Sequence, residues 1–263
     1  MKLTVLTENT ACREGLTAEH GLSLYLETEG YKILFDMGQS DAFLHNAEAL
    51  GIDLSAVDFA VLSHGHYDHG GGLAAFFGCN DHAPVYVSSR AFAPHYHGAE
   101  RYIGLDPALA SHERIHPVED ALALGEGILL THCPDACLAE PVDDAGLTVK
   151  RDGALCPEDF AHEQYLLVRD EGRRVLISGC SHRGVLNLHR HFAPDVLIGG
   201  FHLMNLDPEG PGRARLEETA ARLMSPPTLC FTGHCTGEAQ YAFLWERMGD
   251  HLHRLTAGAG WEI

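Results

Sequence analysis

Residues 63–72 read SHGHYDHGGG and place His64, His66, Asp68 and His69 within six positions. Imidazole nitrogens and a carboxylate packed this tightly without a cation would carry a large desolvation cost. Together they form the ligand set of Zn²⁺ and related divalent ions. The H-x-H-x-D-H spacing, between an apolar run and a glycine-rich helix start, favours a metal loop over a solvated histidine-rich loop. Gly65 and the glycines after His69 let the backbone turn without Cβ clashes.

Ions held there would polarise a carbonyl or phosphoryl oxygen and lower the pKa of bound water from near 15.7 towards about 7, presenting a metal-activated hydroxide. That chemistry is hydrolysis, or displacement at a phosphate or ester. No G-x-S-x-G stretch offers a serine nucleophile instead. His202, in GGFHL, leaves an apolar run on the same expected edge. It reads as a ligand, an acid/base, a substrate contact or a satisfied polar residue. His20, in AEHG, reads as a pocket wall. Arg183 stands just before an expected helix, whose free amides would help it bind phosphate or carboxylate; a solvated helix-start arginine is the plainer reading.

These side chains need strand ends to aim them. Residues 22–27 alternate Leu22, Leu24 and Leu26 with Ser23, Tyr25 and Glu27, predicting a half-buried strand that returns over 31–35. A helix capped by Ser40 or Asp41 runs to Leu50. Phe59 to Leu62 leads into the histidine loop, and Leu73 to Phe77 reads as helix. Strands are expected at 84–88, 166–168, 175–178, 196–199, 229–232 and 252–256, with helices at 184–192, 213–224 and 238–248. Residues 94–160 show one strand, at 127–131, and read as an insertion or lid within a single domain spanning 1–263.

The chain has 263 residues, 45% of them hydrophobic, and 18 Lys+Arg against 37 Asp+Glu give a net charge of −19. That is the wrong sign for nucleic acid or an anionic membrane surface, but compatible with a local pocket for a small anion. No apolar run reaches membrane-spanning length, and the N-terminal MKLTVLTENT lacks the apolar block of a secretory signal. Eight cysteines then read as thiols in a cytoplasmic protein.

HGHYDH at 64–69 resembles the signature of the metallo-β-lactamase-fold superfamily. LFDMG at 34–38, ISGCSH at 177–182 and FTGHCTG at 231–237 are similar to its later strand-end motifs. With AEHGLSLYL at 18–26 and IGGFHL at 198–203, the set resembles the dihydropterin–ribofuranosylaminobenzene-phosphate synthase-like branch. The resemblance implies an α/β fold, a four-layer αββα sandwich with metals at one edge. It implies His64 and His66 on one ion, Asp68 and His69 on a second with His234, and Asp36 orienting a ligand from outside. Asp36 also suits a turn or helix cap.

The chain departs from the family where many members carry a bridging aspartate. Cys180 stands there, and a bridging thiolate would favour zinc or iron over harder ions. Otherwise Cys180 is buried packing and His182 supplies the ligand. The expectation is two divalent ions, zinc first, with iron or manganese as alternatives, and Asp68 and His202 as catalytic groups. The leading function is a metal-dependent hydrolase of a small phosphorylated or acidic metabolite. The branch implies instead a pterin-related transferase displacing pyrophosphate. A metal-bearing sensor without turnover is the non-enzymatic alternative.

Overall fold

The computed structural model describes residues 1–263. The chain forms two compact units, the first from Met1–Asp120, Asp144–Gln164 and Thr256–Ile263, the second from Ala121–Asp143 and Tyr165–Leu255.

In the first unit the leucine alternation yields the strand Ser23–Glu27, antiparallel to Lys32–Phe35 with Leu26 opposite Ile33. Its polar positions do not face water as the alternation predicts, because Ser23 and Tyr25 are as buried as Leu24 and Leu26. Ser23 Oγ donates to the Asp36 carbonyl at 2.8 Å, and Tyr25 joins the apolar core. Burial pushes the Tyr25 phenol up to about 12.

Lys32–Phe35, Phe59–Val61, Val85–Ser88 and Ile115–Val118 run parallel. Lys2–Thr7 and Gly260–Glu262 extend the sheet antiparallel beyond Ser23–Glu27, making seven strands. Parallel strands bring their carboxyl ends to one edge, the usual place for ligand-binding loops. Asp36 leaves one such end and the 63–66 loop leaves the next.

Two helices cover this sheet's core. Ala42–Leu50 starts where Ser40 Oγ accepts the Ala42 N–H, and ends at Gly51 with φ 72°. Phe43 and Ala47 from this helix meet Leu73 and Phe76 from Leu73–Cys79 in one buried cluster. Each large apolar side chain buried this way contributes about 1.5–3 kcal/mol.

Residues 94–160 hold far more strand than the sequence shows. Ala154–Pro157, Leu147–Arg151, His95–His97 and Arg101–Tyr102 form a separate four-stranded sheet of the first unit. These strands are short and partly exposed, so backbone pairing rather than an apolar stripe defines them.

The second unit is also a mixed sheet with helices. Arg173–Ile177, Val196–Ile198, Leu229–Thr232 and Leu252–Arg254 run parallel, and Tyr165–Asp170, Ile128–Thr131 and Leu122–Gly125 continue antiparallel. Helices Val185–Phe192, Arg213–Leu223 and Glu238–Met248 bury Leu188, Leu216, Leu223 and Leu244 against it. Both units are of the α/β class that the sequence predicts. No helix is long and apolar enough to cross a membrane.

Candidate metal centre

In the first unit Asp36 organises the loop after Phe59–Val61. Its side chain is fully buried; Oδ1 accepts the Ser63 N–H and Oδ2 the Ser63 hydroxyl, both at 2.7 Å. Asp36 Oδ2 also lies 2.7 Å from His69 Nδ1. A carboxylate only accepts, so His69 donates from Nδ1 and keeps a lone pair on Nε2. Ser63 Oγ, having given its proton to Asp36, accepts from His64 Nδ1 at 2.8 Å. His64 therefore also keeps its Nε2 lone pair. Partners outside the ligand shell fix tautomers in this way at metal sites.

The His64 ring centroid stands 4.6 Å from that of His66 and 4.2 Å from that of His69. Asp68 Oδ2 lies 3.3 Å from His20 Nε2 and 3.9 Å from His69 Nε2. Gly65 is demanded by space, since a Cβ there would sit 2.0 Å from the Ala91 carbonyl oxygen.

In the second unit each site loop leaves a parallel strand: Cys180 and His182 after Arg173–Ile177, His202 after Val196–Ile198, and His234 after Leu229–Thr232. Single donor atoms of Cys180, His182 and His202 lie within 4.8 Å of one another, as do those of Cys180, His234 and Cys235. The His182 and His202 rings are 4.3 Å apart. Ser181 Oγ donates to the Gly200 carbonyl at 2.7 Å, and Thr236 Oγ1 accepts the Phe201 N–H at 2.9 Å, which tie the loops together.

Burial alone pushes a thiol up, as it does at Cys230. At Cys235 burial acts the same way, but hydrogen bonds from Cys180 and His202 and the charge of His234 outweigh it and hold the thiol well below its ordinary value. Nitrogen and thiolate donors gathered at this range suit zinc or iron, so the residues present fit a transition-metal ion.

Four of these residues sit in left-handed backbone without being glycine: Asp36 at φ 59°, Ser181 at 56°, His202 at 51° and His234 at 50°. Such conformations cost about 1–3 kcal/mol each and persist where surrounding contacts impose them.

The structure thus gathers Asp36, His64, His66, Asp68, His69 and His20 in the first unit, and Cys180, His182, His202 and His234 in the second. Arg183 is buried and its guanidinium is held by the Asp135 carboxylate, so it is not a solvated helix-start side chain.

Sequence reading missed Cys235, directly after His234, and a buried group in the 94–160 region. His95 is buried, 1% exposed. Its Nδ1 lies 2.7 Å from Glu158 Oε2, a partner 63 positions away that no local motif signals. Donor atoms of His66, His95, Glu158 and His162 also fall within 4.8 Å of one another.

The family model of the metallo-beta-lactamase superfamily matches residues 16–136. A crystal structure of a metal-dependent hydrolase of the β-lactamase superfamily superposes with a TM-score of 0.84 at 29% identity, covering 100% of this chain and 99% of that one. The 7,8-dihydropterin-6-methyl-4-(beta-D-ribofuranosyl)-aminobenzene-5'-phosphate synthase of Methanocaldococcus jannaschii is 27% identical, over 92% of this chain and 89% of its own length. A metallo-beta-lactamase fold protein of Bacillus subtilis, 15% identical with a TM-score of 0.57 and 99% of each chain covered, shares the fold. Buried donors at the carboxyl ends of parallel strands, a histidine loop braced by an aspartate, and these likenesses together place the chain: it has the metallo-β-lactamase fold, with a domain of that superfamily matched over residues 16–136.

Proposed function

We propose that the chain is a metal-dependent hydrolase of small phosphorylated or acidic metabolites. The observation that carries this reading is the Asp36–Ser63 hydrogen-bond pattern, which commits the Nδ1 protons of His64 and His69 and so makes Nε2 the ligating nitrogen of each buried ring. The crystal structure at 29% identity, described as a metal-dependent hydrolase, supports it.

His64, His66, Asp68 and His69 in the first unit, and Cys180, His182 and His234 in the second, are the residues that would hold divalent ions, two of them, zinc first and iron or manganese otherwise. Bound divalent ions supply Lewis acidity and a water that ionises near neutral pH. Asp68 orients the attacking water's proton, with His20 at 3.3 Å steadying its carboxylate. His202, held in strained backbone beside His182, passes a proton to the leaving group. The net charge of −19 argues against nucleic acid as the substrate, and the reading places the chain in a cytoplasmic setting that keeps the cysteines as thiols.

The test is elemental analysis of protein purified without added metal, followed by a screen of phosphoesters, pyrophosphate and lactones. Turnover should follow metal content, vanish with chelator and return with the ion. Metal bound without turnover across the screen would favour the sensor reading.

The 27% identity to the Methanocaldococcus synthase across 92% of this chain favours a second reading, a pterin-related transferase displacing pyrophosphate. Pyrophosphate release that requires a dihydropterin pyrophosphate together with an aryl-amine acceptor, and is absent with water alone, would select it.

A further inference from the structure

His95, Glu158 and His162 form a buried group that the proposed chemistry does not use. All three belong to the first unit, with exposures of 1%, 4% and 2%. His95 comes from the strand His95–His97, while Glu158 and His162 follow the strand Ala154–Pro157. Burying a carboxylate and two imidazoles side by side is costly unless each is hydrogen-bonded.

The hydrogen bonds settle where the protons lie. The Gly65 N–H donates to His162 Nδ1 at 2.8 Å. A neutral ring accepting at Nδ1 carries its proton on Nε2, and that nitrogen lies 3.7 Å from Glu158 Oε1. The same Oε1 accepts the Phe160 N–H at 3.2 Å. Glu158 Oε2 lies 2.7 Å from His95 Nδ1, so His95 donates there and keeps a lone pair on Nε2. The His95 and His162 rings stack 4.0 Å apart at 25°. Both face His66, whose ring centroid is 5.5 Å from that of His95 and 5.1 Å from that of His162.

Hydrogen bonding therefore engages two of the four donors that an ion in this quartet would need. Glu158 is bonded to His95, and the His162 lone pair is spent on Gly65. Gly65 is the residue between two proposed ligands, and its peptide is pressed against Ala91. We propose that His95, Glu158 and His162 are positioning residues for the metal loop. His162 fixes the Gly65 peptide, and Glu158 fixes the His95 ring against His66, so that His64 and His66 are held in ligating geometry before an ion arrives. Asp36 braces the loop through Ser63 and His69; the second brace comes from the 94–160 region.

The inference rests on the proposed assignment of His64 and His66 as ligands. Its test compares His162→Asn, whose Oδ1 can stand near the Nδ1 position and accept from Gly65, with His162→Gln, which cannot. It adds His95→Asn, which can still donate to Glu158 but lacks Nε2. Full-length protein is titrated with Zn²⁺ against a chromophoric chelator, and the Co²⁺-loaded forms are examined by absorption spectroscopy. Loss of an outer partner typically weakens metal affinity 10–100-fold. His162→Gln and His95→Asn should fall in that range with shifted cobalt d–d bands, while His162→Asn stays within about threefold of the parent. Amide exchange at Gly65, read by NMR, should quicken about tenfold in His162→Gln but not in His162→Asn, with or without metal.

Loss of one whole ion in His95→Asn, with the remaining ion bound as in the parent, would mean that the quartet itself holds a cation, and would overturn the inference. So would unchanged Gly65 exchange and unchanged affinity in His162→Gln. If the parent binds no transition ion, the function reading fails on that result alone, and the brace stands or falls on Gly65 exchange.

Discussion

Asp36 Oδ2 and His69 Nδ1 lie 2.7 Å apart with both side chains fully buried. The same carboxylate receives the Ser63 amide and hydroxyl, so one side chain fixes two imidazole tautomers. Asp36→Asn keeps the size but replaces an acceptor with a donor. It should cost about 1.5–3 kcal/mol of stability, as for hydrogen bonds to charged groups, and weaken metal binding 10–100-fold. Urea denaturation and chelator competition measure the two effects separately. Wild-type metal affinity in this variant would remove Asp36 from the site.

His66→Ala and Asp68→Ala should lose metal and activity while leaving the fold intact, because each removes a donor and no large apolar contact. Elemental analysis beside circular dichroism checks this. If both variants keep full metal content, the ligand assignment is wrong.

Cys180→Asp restores the oxygen donor that many family members carry at this point. Two-ion occupancy with a preference moved from zinc towards manganese is the expected outcome, because carboxylates are harder ligands than thiolates. An unchanged preference, measured by competition between Zn²⁺ and Mn²⁺, would make Cys180 a packing residue.

Gly65→Ala introduces a Cβ 2.0 Å from the Ala91 oxygen, a backbone atom that cannot swing aside. The loop must move, and metal affinity should drop by at least about tenfold, the scale expected when a positioning contact is lost. Isothermal titration with Zn²⁺ gives the answer directly.

The pH dependence of stability should carry a signature from His189, away from the metal loops. Burial, and after it the charge of Arg222, lowers its pKa below the ordinary 6.5. Between the ordinary value and the lowered one the unfolded chain binds more protons than the folded chain, so stability rises with pH there. The parent should lose stability as pH falls below about 6.5, the unperturbed histidine value, and His189→Gln should lose less. Denaturation midpoints at pH 7.5 and 5.5 make the comparison; equal losses would count against it.

Much of the centre was readable because its residues leave strand ends within short motifs. HGHYDH, ISGCSH and FTGHCTG each join an apolar run to donors a few positions on, so local spacing carries the chemistry. The helix from Ala42 and the strand at 229–232 were expected from the sequence, as was a strand at 252–256, which ends at Arg254. His95, Glu158 and His162 were not readable, because His95 and Glu158 are 63 positions apart and meet only through the small four-stranded sheet. That sheet was itself hidden: Ala154–Pro157 is largely exposed and carries no apolar stripe. The polar side of the 22–27 alternation misled for the opposite reason, since Ser23 found a buried carbonyl and Tyr25 a core.

The last strand, Gly260–Glu262, pairs with Lys2–Thr7 at the edge of the first sheet, and the Ile263 N–H reaches the Met1 carbonyl at 2.8 Å. During synthesis, therefore, Lys2–Thr7 must wait for Gly260–Glu262 before this ladder closes. Until then Lys2–Thr7 presents a bare edge, the kind of surface on which nascent chains associate wrongly. Deleting residues 260–263 should leave metal binding unchanged in whatever protein folds, yet lower the soluble yield.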